Sequence, residues 1–415
     1  MSLGLLPTSR ICLHDLAMRR DRDEWIVGRF ETREFVVLPQ VGEMALRLLG
    51  QGLTIEETTA RLIGKTGCDF DVLSFVRDLV ELGFVAEIDC RPVQSEPPSP
   101  PSFPRLRPEH LRFVLSPVLP ALFGCLMLAA GTTLVIRPEL LPGYQDLLWS
   151  SHGSLVLALS AIGGWSLLFT HEMAHLVTAR ATGVQARIRL GTRLQFLVAE
   201  TDISGIELAP RRHRLTAYLA GMAVNLSTAA LAILLLAVTE ENAVAHRILS
   251  AVVVLAVVPL SFQLLVFMRT DAYFVMQDLL GCRDLFGDGK AYAKYIRGRA
   301  WKVATGRGPA LADPSLSLPP HERHAVRMYS IVLVMGTILC LAALTAFTLP
   351  ADIALISQAV TRLGPHHPAM VNVDSVVVLL VLGTAHILWA VTWWRQRNEM
   401  PSPSKRSIPT TQRTF

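Results

Sequence analysis

From Phe113 to Trp394 the chain alternates long apolar runs with short polar breaks. Six runs, near 113–136, 154–179, 215–238, 247–268, 326–349 and 371–394, reach the roughly twenty residues a helix needs to cross hydrocarbon. Residues 1–92 follow a shorter rhythm. Trp25–Arg29 and Glu34–Pro39 read as two strands around a turn at Glu31-Thr32-Arg33. A helical pattern through Val41, Met44, Ala45, Leu48 and Leu49 stops at Gly50. Thr54-Ile55-Glu56-Glu57 predicts a capping box opening a second helix through Leu62 and Ile63. Asp71 caps a third, with Leu73, Val76, Leu79 and Val80 on one face and Gly83 ending it, and Phe84–Ile88 returns as a strand. Together these predict a small α+β winged-helix-like domain over 1–92. A proline-rich linker over 93–110 contains SEPPSPPSFP and cannot propagate helix or sheet. The expected architecture is therefore a multi-span α-helical membrane protein of about six transmembrane helices, spanning 111–396, with a tail over 397–415.

Composition agrees with this picture. Of 415 residues, 51% are hydrophobic and 18% charged, below the quarter typical of soluble domains. The net charge of +5 could mark a nucleic-acid binder, but its distribution points elsewhere. Arg and Lys gather before the first span, between the second and third, after the fourth and after the sixth, while the intervening loops are poor in them. That alternation predicts cytoplasmic termini. The third N-terminal helix carries Asp69, Asp71, Asp78 and Glu81 against Arg77, the wrong sign for phosphates, so no nucleic-acid partner is expected. Six scattered cysteines without a CxxC pair indicate neither a disulfide framework nor a thiolate zinc site. The first residues lack the apolar core of a signal peptide.

The second apolar run contains polar chemistry. In LLFTHEMAHLVTAR, His171 and His175 are four apart and so share one helix face, with Glu172 beside them. A charged carboxylate at membrane depth costs about 2–3 kcal/mol or more, so it needs a partner or a role. HExxH supplies two imidazole ligands for a tetrahedral zinc ion and a carboxylate to take a proton from water. The third ligand should be a carboxylate or His at similar depth. His171 lies about 13 Å of helix rise from Arg180 at the cytoplasmic end. The fourth span ends on that same side, just before Asp271, which makes Asp271 the preferred ligand, with Asp278 and Asp202 as alternatives. Asn225 in the third span, among Gly221, Ala223 and Ser227, reads equally as an inter-helix hydrogen bond or a holder of a substrate carbonyl. Thr170 and Thr270 are candidates to hydrogen-bond the ligands, and His386 is a more distant one.

HEMAH, AGMAVNL and RTDAYF together resemble the site-2 protease family of intramembrane zinc metalloproteases, closest to its bacterial peptide zinc metalloprotease branch. Glu200–Gly221 extends the resemblance to roughly 160–285. It implies His171, His175 and Asp271 as zinc ligands, Glu172 as base and Asn225 as an auxiliary. The chain departs from the family in having Asp271-Ala272 for its Asp-Gly and Gly221-Met222 for its Gly-Pro. The first ninety residues resemble the PqqD-like peptide-binding domain, which captures precursor leader segments, often by adding a strand to a sheet edge. The resemblance implies a zinc endopeptidase of a bacterial inner membrane that matures a ribosomally synthesised, modified peptide. Its rivals are proteolysis of a membrane-anchored regulator, and a peptide export or immunity component that does not turn over.

Overall fold

A computed structural model describes residues 5–21, 24–29, 34–67, 69–93, 102–148, 153–194, 196–240, 243–306, 312–366 and 368–398. The N-terminal unit opens with β1 (Ile11–Leu13), β2 (Ala17–Asp21), β3 (Glu24–Arg29) and β4 (Glu34–Pro39). β2, β3 and β4 form an antiparallel meander with Ile26 opposite Val37 and Val27 opposite Val36. The turn expected at Glu31-Thr32-Arg33 lies outside the described residues. Three helices follow, α1 (Gln40–Gly50), α2 (Ile55–Thr66) and α3 (Val72–Glu81), and then the hairpin β5 (Val85–Ile88) and β6 (Arg91–Pro92). β1 closes a second sheet in the order β1-β5-β6. Alternation on the strands and helical spacing on the helices point Val27, Leu38, Leu49, Leu62, Leu79 and Phe84 into one buried core. Each such side chain contributes about 1.5–3 kcal/mol of burial, the main term holding so small a unit together.

The capping box at α2 is formed. Thr54 Oγ1 accepts from the Glu57 amide at 3.2 Å, and Glu57 Oε2 accepts from the Thr54 amide at 2.9 Å. Thr54→Ala removes one of these bonds, so chemical denaturation of the protein should show this unit destabilised by about 1 kcal/mol.

Beyond the linker come α4 (Pro108–Leu111), α5 (Val118–Ile136) and α6 (Gly153–Ala181). The hairpin β7 (Arg187–Arg193) and β8 (Phe196–Asp202) follows, then α7 (Arg211–Leu236), α8 (Val244–Gln263), α9 (Asp271–Leu280) and α10 (Leu285–Thr305). The last described elements are α11 (Pro320–Ala343), a π-helical turn over Leu344–Thr348, α12 (Leu349–Arg362) and α13 (Ala369–Asn398). Among the described residues, five helices are long and apolar enough to cross a membrane: α5, α7, α8, α11 with its extension to Ala346, and α13. Their outward faces carry exposed apolar side chains, such as Leu128 at 72%, as a lipid-facing surface would. Helix α6, the expected second span, has 29 residues and carries the polar triplet of HExxH in its second half.

Two stretches between the apolar runs form regular structure. Residues 352–362 form most of helix α12, which packs on α13. Its polar positions fall between apolar ones at helical spacing, so it is amphipathic. The segment after α6 is a β-hairpin, which the polar residues of RIRLGTR and AETD disguise.

Helix α7 is the centre of the apolar part. It packs against α5, α6, α8 and α9, and its small residues Ala217, Gly221, Ala229 and Ala232 are buried at these contacts. The N-terminal unit touches this part. Arg19 Nη1 donates to the Ala209 carbonyl at 3.1 Å, and Glu24 pairs with Arg283 just beyond α9.

Candidate metal centre

One helical turn separates His171 and His175 on α6, so both rings project towards α7 and α9. They are 4% exposed each, with centroids 4.9 Å apart. Helix α9 begins at Asp271, and its carboxylate reaches the same point. Asp271 Oδ2 lies 2.9 Å from His171 Nε2 and 3.2 Å from His175 Nε2. All three donor atoms fall within 4.8 Å of one another, so the group could hold a metal ion.

Neighbouring groups orient each donor. His175 Nδ1 lies 2.7 Å from the Ala217 carbonyl, which can only accept, so Nδ1 carries a proton and Nε2 is the atom that faces the donor cluster. The Asp271 amide donates to Gln263 Oε1 at 2.9 Å, and Thr270 Oγ1 donates to the Gln263 carbonyl at 2.6 Å. These two bonds close the turn between α8 and α9, in which Arg269 takes the left-handed conformation at φ 57°. Non-glycine residues adopt that conformation only where the surroundings hold them. Arg269 stacks over Phe274 and Phe286, at 5.8 and 5.5 Å from the ring centroids.

Glu172 is 6% exposed and accepts a 2.7 Å hydrogen bond from Thr201 Oγ1 of β8. Gly221 of α7 lies against the two rings. A Cβ added there would meet His171 Nε2 at 2.4 Å and His175 Nε2 at 2.5 Å. Only a hydrogen atom fits, and the absent side chain leaves the cradle in which the donors converge. Asn225, one turn further along the same face of α7, is 2% exposed, and its Oδ1 has no hydrogen-bond partner among the described residues. A buried amide oxygen left that way costs free energy unless a ligand or water satisfies it.

The other sequence candidates are placed elsewhere. Asp278 pairs with Arg214 and Arg211 at the start of α7. Asp202 accepts from the amide and hydroxyl of Ser204 at 3.2 and 2.5 Å. Thr170 bonds the Leu167 carbonyl of its own helix at 2.9 Å, and Thr270 acts on the turn rather than on a ligand side chain. His386 faces Asp352 of α12 at 3.4 Å, away from the cluster. Ala272 lies inside α9, so the position after Asp271 requires no glycine here. Thr201, Gln263 and the Ala217 carbonyl are the residues that reading the sequence missed. None has a local signature, because each acts from an element brought in by the fold.

The donor types, two imidazoles and a carboxylate, are among those that zinc takes. Tetrahedral zinc with nitrogen and oxygen ligands near 2.0–2.2 Å places them about 3.3 Å apart, close to the spacings at Asp271. Two imidazoles and one carboxylate, with one side left open by Gly221, correspond to a three-ligand set with a free position. Compared with known proteins, the chain matches no family model, no curated sequence and no solved structure.

Proposed function

We propose that this chain is a membrane-embedded zinc endopeptidase of the site-2 protease kind that removes the leader of a ribosomally synthesised, modified peptide. The observation that carries the reading is the convergence of His171, His175 and Asp271, with the buried Glu172 carboxylate beside them, in a bundle of apolar helices. Zinc bound there would act as a Lewis acid on the scissile carbonyl and on the attacking water. Glu172 takes the proton of that water on its carboxylate and returns it to the leaving amine. Asn225 offers its amide to the peptide being cut, which would satisfy the unpaired Oδ1 through a backbone N–H. The Gly221 cradle gives the scissile bond room to approach the histidines.

On this reading α6 is the sixth span, both termini are cytoplasmic, and the membrane is the inner membrane of a bacterium. The N-terminal unit recruits the leader from the cytoplasm. β4 is an outer strand of the β2-β3-β4 meander and can accept an added peptide strand. Holding the precursor by its leader raises its effective concentration at the site.

Elemental analysis of the full-length protein in detergent tests the metal. About one zinc per chain is expected for the wild type, falling to near zero in His171→Ala and well below one in Asp271→Ala. Wild-type protein without zinc, under conditions that retain bound metal, would remove the basis of the proposal.

A further inference from the structure

Strand β8 reaches helix α6 at Glu172, the residue next to the ligand His171. Side chains alternate along a strand, and the neighbours of Thr201 turn away from α6. Glu200 pairs with Arg189 at 2.8 Å, and Asp202 bonds Ser204. Thr201 therefore faces α6, with Oγ1 2.7 Å from Glu172 Oε2 and 3.0 Å from the Glu172 main-chain oxygen. A threonine hydroxyl has one hydrogen and can donate to only one of the two. The main-chain oxygen lies within α6 and can accept the helix's own hydrogen bond, whereas the carboxylate has no helical partner.

We infer that Thr201 is a positioning residue for Glu172: its hydroxyl, presented by β8, selects the side-chain rotamer that keeps the carboxylate against the His171–His175–Asp271 cluster. The inference rests on the peptidase reading. Glu172 has three side-chain torsions, and a buried carboxylate without a fixed donor would turn towards whatever polar group it could reach. A group that must act on a reacting atom has to be held within about 0.5 Å, which needs support from a second element. The hairpin supplies it. β7 pairs with β8 along its length, with Ile188 opposite Thr201. Its far end is tied to α13, where Gln396 Oε1 accepts from the Thr192 amide at 3.1 Å and from the Thr192 hydroxyl at 2.6 Å. Thr201 thus sits on a hairpin whose partner strand β7 is anchored to α13, which gives its hydroxyl support from outside α6.

The test uses zinc-loaded full-length protein and acetohydroxamate, a small probe that chelates the metal and presents its hydroxyl to a neighbouring carboxylate. Thr201→Val keeps the branched shape and removes the donor, while Thr201→Ser restores the hydroxyl. Wild type and Thr201→Ser should bind the probe alike, and Thr201→Val about tenfold more weakly, with zinc content near one per chain in all three. Turnover, read in parallel on a precursor peptide, should show the Thr201→Val loss in kcat with KM little changed. Probe affinity of Thr201→Val within twofold of wild type, or loss of zinc from that variant, would overturn the inference, the latter by showing a structural role. A wild type that holds zinc and binds no acetohydroxamate would sink the peptidase reading itself, and the role of Thr201 with it.

Discussion

Glu172→Gln should retain its zinc and lose peptide cleavage by about a thousandfold, within the range that positioned acid–base groups supply. The substitution keeps the shape of the side chain and an oxygen that can accept from Thr201, so rotamer and packing change little. What it removes is the ability to accept a proton, because an amide is not a base at neutral pH. The ligands His171, His175 and Asp271 are untouched, and metal content should stay near that of the wild type. Cleavage of a candidate precursor, followed by mass spectrometry beside a zinc assay, separates the two effects. Cleavage at the wild-type rate in a zinc-replete Glu172→Gln protein would show that Glu172 is not the base.

Gly221→Val should abolish metal binding while leaving the helices in place. An added Cβ at this position comes within 2.4 Å of His171 Nε2, 2.5 Å of His171 Cδ2 and 2.5 Å of His175 Nε2. Carbon atoms do not approach so closely, so either α7 retreats from α6 or both rings rotate away from Asp271. The rings are buried and His175 is held by the Ala217 carbonyl one turn before Gly221, so neither movement is small. Overpacking of this kind typically costs about 1–3 kcal/mol of stability, which a bundle of this size tolerates. A three-ligand site does not tolerate it, because metal affinity depends on distances held within about 0.2 Å. Zinc content near zero, with helical circular dichroism unchanged, is the expected result. Gly221→Ala should show the same defect in milder form. Full zinc occupancy in Gly221→Val would mean that α7 does not form one wall of the site in solution.

These two experiments touch residues of different legibility. Glu172, His171 and His175 could be read from the sequence because the geometry of HExxH is local: a four-residue spacing on any helix puts both rings on one face. Asp271 was reached by an argument about depth, since the fourth apolar run ends on the side where α6 ends. The structure brings its carboxylate to the histidine pair and leaves Asp278 with the arginines of α7 and Asp202 with Ser204. Gly221 was legible as a small residue suited to helix packing, but its contact with the two rings was not. That role depends on which face of α7 meets α6.

The elements show the same division. Helices α1, α2 and α3 and strands β3 and β4 follow the apolar periodicity of the sequence closely, and the α2 capping box is where its four residues place it. Strand β2, with the sequence AMRRD, has no apolar alternation and exists because β3 offers it an edge to pair with. The β7–β8 hairpin likewise takes its stability from contacts with α6 and α13, which no local pattern records. α12 lies between two of the apolar runs; its 14 residues are too few to span, although its apolar spacing is helical.

The sequence by itself therefore determined the apolar helices and the identity of the donor types, since hydrophobic run length and residue spacing are properties of short stretches of chain. The tertiary structure alone decided that Thr201, Gln263 and the Ala217 carbonyl orient Glu172, Asp271 and His175. These partners lie 29, 8 and 42 residues from the groups they hold. A hydrogen bond forms only within about 3 Å, and bringing such atoms that close is a result of packing that local spacing does not encode.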